Sequence, residues 1–162
     1  MLNKIALVTG GFDPLHSGHI EYFKSAKLEG EMLLVGINSD DWLRRKKGRF
    51  LLGYQERLSV IKSLYMVDKI VKYDDSDDTS IKAIHEAKKL FPQCQIIFCN
   101  GGDRGELNTP EYDEFLEDDL VIFKFNIGGT KVNSSSEILK RWEKLKNNII
   151  PYRMVYYLHY LL

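Results

Sequence analysis

The chain has 162 residues, 44% of them apolar and 28% charged, with Lys plus Arg equal to Asp plus Glu at 23 each. That length predicts one domain with a real core. The balanced charge excludes a broad basic field of the kind that draws a protein to nucleic acid, so any anionic ligand has to be small and held by local charge. Cys94 and Cys99 match neither a disulfide framework nor a zinc spacing, and Cys99 reads as a small hydrophobe in a strand. The N-terminus lacks the apolar segment and cleavage site of a secretory signal, so a cytoplasmic location is expected.

In chain order, Ile5–Val8 is an apolar run that reads as a buried parallel strand. Thr9-Gly10-Gly11-Phe12-Asp13-Pro14-Leu15-His16-Ser17-Gly18-His19 follows and leads into a helix over Ile20–Glu29, closed by Gly30. The glycines let backbone N–H groups approach a ligand, and the helix start supplies unpaired N–H groups and a positive dipole end. His16 and His19 are three apart, so both rings reach one side of the first turn. Together these features describe a polyphosphate cradle at the edge where open α/β sheets bind ligands.

Met32–Ile37 reads as the second strand and Asp40–Arg45 as a short helix. A basic stretch, Arg44 to Arg49, carries Lys46 and Lys47 just before Gly48; by itself such a run is a solvated face. Gln55–Tyr65 reads as a helix with Leu58, Ile61, Leu64 and Tyr65 on one face, and Arg57 fits a surface salt bridge on it. Lys69–Tyr73 is the third strand, and the acidic run Asp74–Asp78 reads as a solvated loop. Ser80–Leu90 is helical, Gln95–Cys99 is the fourth strand, and Asn100-Gly101-Gly102-Asp103-Arg104 forms a turn at its end. Thr109 and Pro110 look like the N-cap and first residue of a helix over Glu111–Glu117. After a fifth strand, Leu120–Phe125, the run Ser134-Ser135-Ser136-Glu137 fits a capping box opening a helix over Ser135–Leu145. Capping accounts for Ser134 and Glu137 but not for the hydroxyls of Ser135 and Ser136. Strand–helix alternation implies a parallel sheet covered on both faces. The domain is expected over residues 1–146. The aromatic tail, 147–162, is too short and interrupted to span a bilayer and is expected to pack on the domain or on a second subunit of a homodimer.

His16-Ser17-Gly18-His19, within Gly-x-Phe-Asp-x-x-His-x-Gly-His, resembles the signature of the His-x-Gly-His nucleotidyltransferase superfamily. The likeness runs from about residue 3 to residue 142 and is nearest the small cytidylyltransferases and adenylyltransferases that act on polyol, alcohol or sugar phosphates. It implies a Rossmann-like fold, a five-stranded parallel sheet of order 3-2-1-4-5, and a cleft between the first and fourth strands. It further implies transfer of CMP from CTP to a small phosphorylated acceptor, or of AMP from ATP to a sugar phosphate, with Mg²⁺ riding on the triphosphate and no direct protein ligand. By this resemblance His16, His19 and Lys47 are catalytic. Thr9, Gly10, Gly11, Phe12 and Gly18 face the phosphates, Gly101, Asp103 and Arg104 meet base and ribose, and Ser134, Ser135 and Ser136 meet the terminal phosphates. Asp13, Lys46 and Arg57 are placed on the acceptor side; Asp13 also fits a role in orienting the turn. One departure stands out: the cytidylyltransferase pattern has Arg-Thr-x-Gly before the hydroxyls, where this chain has Gly129-Thr130-Lys131-Val132. Two other classes remain: a nucleotide-binding regulatory module without turnover, and a dinucleotide-binding oxidoreductase. Intact His16, His19 and Lys47 argue against the first, and the missing Gly-x-Gly-x-x-Gly against the second.

Overall fold

The computed structural model describes residues 3–102, 104–106, 109–129 and 134–158, with side chains as far as residue 146. Its elements in chain order are β1 (Lys4–Gly10), α1 (Ser17–Lys27), β2 (Met32–Ile37), α2 (Asp40–Lys47), α3 (Tyr54–Lys62), β3 (Lys69–Val71), α4 (Ile81–Leu90), β4 (Gln95–Cys99), α5 (Pro110–Glu114), β5 (Val121–Lys124) and α6 (Ser135–Leu158). The strands form one parallel sheet in the order β3-β2-β1-β4-β5, as the resemblance implied.

Unbroken apolar runs make the central strands because both faces of a parallel sheet are covered. Successive residues of β1 alternate between two cores. Ala6 and Val8 join Phe23 and Ala26 of α1, Leu33 and Val35 of β2 and Ile61 of α3 on one face. Ile5 and Leu7 join Leu34, Phe98 and the Ala83, Ile84, Ala87 stripe of α4 on the other. The register, Ile5 opposite Met32 and Ile96, brings the carboxyl ends of β1, β2 and β4 to one edge.

Four local expectations change. β3 ends at Val71 rather than Tyr73, because Tyr73 leaves the ladder and its hydroxyl accepts a 2.8 Å hydrogen bond from Asn38 Nδ2. The acidic run is not uniformly solvated: Asp75 is buried and accepts hydrogen bonds from Ser39 N and Oγ, both at 2.7 Å, locking the β2–α2 turn. Lys46 and Lys47 lie in the last turn of α2 rather than in a loop; the helix stops at Gly48, whose φ of 75° suits glycine. Finally, α6 continues beyond Leu145 to Leu158, through Pro151. The packing expected of the 147–162 tail rests on side chains outside the described residues.

Candidate active site

The chain after β1 winds toward β2 and β3, then returns to β4 and β5 on the other side, so β1 and β4 border the point where the winding reverses. Open α/β sheets leave a crevice there. In this protein it is a cleft of about 500 Å³ lined from both sides of that reversal.

The β1 side begins with Thr9, Gly10 and Gly11, and turns at Phe12, whose φ is 49°. A non-glycine residue holds that conformation only where packing over-determines it. Here the Phe12 ring is buried, edge-on to Phe23 at 5.0 Å and to His19 at 5.1 Å. It therefore supports the His19 ring from below, and only its backbone belongs to the phosphate-facing turn. His16 is the N-cap of α1: its Nδ1 accepts from Gly18 N at 3.1 Å. That bond assigns the acceptor role to Nδ1 and, in the neutral imidazole, the proton to Nε2. The His16 and His19 rings stack with centroids 3.9 Å apart. Both line the cleft beside Ser17 and Gly18, at the positive end of α1.

The two lysines part company. Lys47 lines the cleft, and burial holds its ammonium below the ordinary lysine range, opposed by the Asp13 charge and reinforced by that of Arg57. Lys46 lies over the Trp42 ring at 6.0 Å and is not among the lining residues. In this structure Lys46 is thus associated with its i−4 neighbour Trp42 on α2.

Asp13 and Arg57 are both held by partners within the protein, and for Asp13 this is the turn-orienting role the sequence allowed. The buried Asp13 carboxylate accepts from Leu51 N at 2.7 Å and Leu52 N at 2.8 Å, which orients the loop after α2. Arg57 is 1% exposed, so its ion pair is not a surface one. It donates through Nε to Leu52 O (3.0 Å), through Nη1 to Gly11 O and Asn38 O (2.8 Å each), and through Nη2 to Asp40 Oδ1 (2.7 Å). One guanidinium thereby ties together the ends of β1 and β2 and the 51–52 loop.

On the β4 side, Gly101, Gly102 and Arg104 line the cleft; Asp103 lies outside the described residues, as does Lys131. Sequence reasoning missed several neighbours: Tyr22, Ile127, Gly128 and Gly129. Tyr22 follows His19 by one helical step, and its hydroxyl donates to Cys99 O at 2.5 Å, anchoring α1 to β4. Gly128 has φ 86°, and a Cβ there would stand 2.9 Å from Tyr22 Cα, so the turn after β5 closes on α1 only as glycine. The Gly128-Gly129 pair after a strand was a readable turn signal, and the helical spacing from His19 a readable signal for Tyr22.

The start of α6 completes the cleft with Ser134, Ser135 and Ser136. Ser134 Oγ accepts from Glu137 N at 3.1 Å, as a capping residue does. Ser135 departs from expectation: it is buried, and its hydroxyl donates to Pro14 O at 3.0 Å, joining α6 to the β1–α1 loop. Its proton is engaged within the protein, whereas Ser136 is exposed at the cleft edge. Among the described residues, two helix N-termini, paired imidazoles, one lysine and one arginine thus converge on a single crevice, an arrangement suited to a chain of phosphates.

Comparison with known proteins places the chain on this same ground. Residues 7–103 match the family model described as cytidylyltransferase-like. The bifunctional protein HldE of Geotalea uraniireducens is 38% identical over 110 residues, covering 67% of this chain and 20% of that protein. The protein of the same name from Helicobacter pylori strain J99 is 40% identical over 147 residues, 90% of this chain and 29% of that protein. The chain therefore spans less than a third of the length of these relatives. Among solved structures, the lipopolysaccharide core biosynthesis protein of Thermoplasma volcanium is similar with a TM-score of 0.59 and 25% identity, over 78% of this chain and 95% of that one. Motif, sheet order, cleft and family match agree: the chain belongs to the cytidylyltransferase-like family of nucleotidyltransferases.

Proposed function

We propose that this protein transfers a nucleotidyl group from a nucleoside triphosphate to a phosphorylated sugar, releasing pyrophosphate. The observation that carries the reading is the stacked His16–His19 pair between two helix N-termini, with Lys47 on the same cleft. An oxygen of the acceptor phosphate attacks the α-phosphorus, the bond to the bridging oxygen breaks, and pyrophosphate leaves with its electron pair. The attacking phosphate is already anionic at neutral pH, so alignment and charge neutralisation carry the reaction rather than a strong base. His16 and His19 donate to the α-phosphate oxygens as charge gathers there, Lys47 draws the acceptor phosphate in, and the α6 start with Ser134 and Ser136 receives the terminal phosphates. The described residues include no cluster of His, Cys, Asp or Glu able to hold a metal. Mg²⁺ enters this proposal as the counter-ion of the triphosphate substrate, as the family resemblance implies.

ATP is the donor we favour. Among the described residues, leaving aside its chain neighbours, none comes within 4 Å of where a Gly102 side chain would start, which supports room for a purine. The similarity to a lipopolysaccharide core biosynthesis protein supports a sugar as the acceptor's carrier. CTP is the second reading, supported by the extended motif over residues 10–19 and by the description of the matching family. Shape alone discriminates by about 1–3 kcal/mol, so both nucleotides are expected to bind with one preferred. A pyrophosphate-release screen of ATP and CTP against a panel of sugar and polyol phosphates tests the reaction, and calorimetric titration of each nucleotide tests the preference. Nucleotide binding without turnover on any acceptor would favour the regulatory module instead. A homodimer in the cytoplasm belongs to the same proposal, and light scattering at micromolar concentration tests the dimer.

A further inference from the structure

Glu111, on α5, belongs to no part of the site described so far, yet it is 1% exposed and connects two of its walls. Its Oε1 accepts a 2.6 Å hydrogen bond from Ser80 N, and the Ser80 hydroxyl lies 2.8 Å from that of Thr9, which lines the β1 side of the cleft. Its Oε2 is buried and makes no hydrogen bond. The cation facing that oxygen is Arg104, whose Nη1 stands 3.9 Å away and whose side chain, 43% exposed, lines the β4 side. A buried carboxylate oxygen without a hydrogen bond is disfavoured unless a charge nearby compensates it. At 3.9 Å Arg104 supplies attraction without being locked in a hydrogen bond, so it remains able to turn toward a second anion. The segment that carries both is closed on itself by Thr109, whose hydroxyl donates to Gly105 O at 2.8 Å instead of capping α5.

We infer that Glu111 is a positioning residue: its buried carboxylate holds the Arg104 guanidinium over the cleft, from where it reaches the anionic nucleotide, while the Ser80 branch keeps Thr9 and α4 in step. The inference rests on the proposed nucleotidyl transfer for its ligand, but not for the Glu111–Arg104 coupling itself.

Glu111→Gln preserves size and the acceptor for Ser80 N while removing the charge that faces Arg104. In the ligand-free protein, the Arg104 Nε–H resonance, assigned by its loss in Arg104→Lys, should shift and broaden in Glu111→Gln. In steady-state assays with the preferred nucleotide, KM should rise about tenfold with kcat within about twofold, as for loss of uniform binding. Calorimetry should show the same weakening, and the melting temperature should stay within a few degrees. In an Arg104→Ala background, Glu111→Gln should add nothing further, because the two act as one unit. An unmoved Arg104 resonance overturns the inference whatever the enzyme does. So does a Glu111→Gln effect that persists undiminished in Arg104→Ala, which would mark Glu111 as a structural support of α4 and α5. Absence of nucleotide binding by the wild-type protein, with the Arg104 resonance still coupled to Glu111, would instead sink the proposed function.

Discussion

The two walls of the cleft are built by different means. The wall from Thr9 to His19 is braced from behind by charged and aromatic side chains: Arg57 on Gly11 O, Asp13 on the 51–52 loop, and Phe12 under His19. The wall formed by Asn100 to Gly102 with 126–129 uses backbone bonds, Asn100 N to Lys124 O and Ile127 N to Asn100 O, and glycines that let Tyr22 approach. Under the proposed function, the contrast fits a division of labour. Groups that meet developing charge must be held before the reaction, whereas a surface that reads a flat base depends more on shape.

The largest expected effect breaks the braced wall. Arg57→Ala should destabilise the fold by about 3–5 kcal/mol, because it leaves buried carbonyls and a carboxylate without their cation. Chemical denaturation measures this; a loss under about 1 kcal/mol would mean that the wall stands without its brace. The next effect falls on the chemistry. His16→Ala and His19→Ala should each lower kcat by at least about a hundredfold with the fold retained. His16→Ala should also lose a helix cap, about 1 kcal/mol of stability, and His19→Ala should not. Near-normal turnover in both variants would remove the pair from the mechanism.

On the second wall, Gly128→Ala sharpens the comparison. Its positive φ and the close approach to Tyr22 predict a loss of about 1–3 kcal/mol and a higher KM for nucleotide, with kcat less affected than by the histidine changes. A variant as stable and as tight-binding as the parent would show that this wall tolerates a Cβ. The serines of α6 should separate as the structure separates them. Ser135→Ala should lower stability by about 1 kcal/mol through its bond to Pro14, and Ser136→Ala should weaken triphosphate binding with little change in melting. Equal effects on both properties would return the two hydroxyls to a shared role.

The smallest effect is a displacement along the pH axis. Burial lowers the Lys47 pKa, so the alkaline limb of kcat/KM should fall below the ordinary lysine range. Bound phosphate favours the charged form, so the limb of kcat should lie higher. The sign for stability is opposite. Between the lowered folded value and the ordinary one the unfolded chain binds more protons, so Lys47 makes the fold more stable as pH rises there. Lys47→Met should remove both features; Lys46→Met should remove neither.

Sheet order, the strand-to-helix motif and the positions of His16 and His19 were legible in the sequence. Apolar runs, glycine turns and helix caps are local signals, and a family motif binds them to one topology. Even so, the sequence did not show which partners hold Arg57 and Asp13. A charged residue on a predicted helix or turn carries no local mark of burial; only the closure of the 51–52 loop over the β1 and β2 ends supplies its partners. The same holds for Ser135, whose partner Pro14 is remote in sequence, and for Glu111, buried on a short helix that composition alone makes look like surface. Short-range chemistry in the sequence determined what each segment is. The tertiary structure decided which polar groups face the cleft and which hold it up, because the free energy of a charged side chain depends on neighbours that only the fold brings within reach.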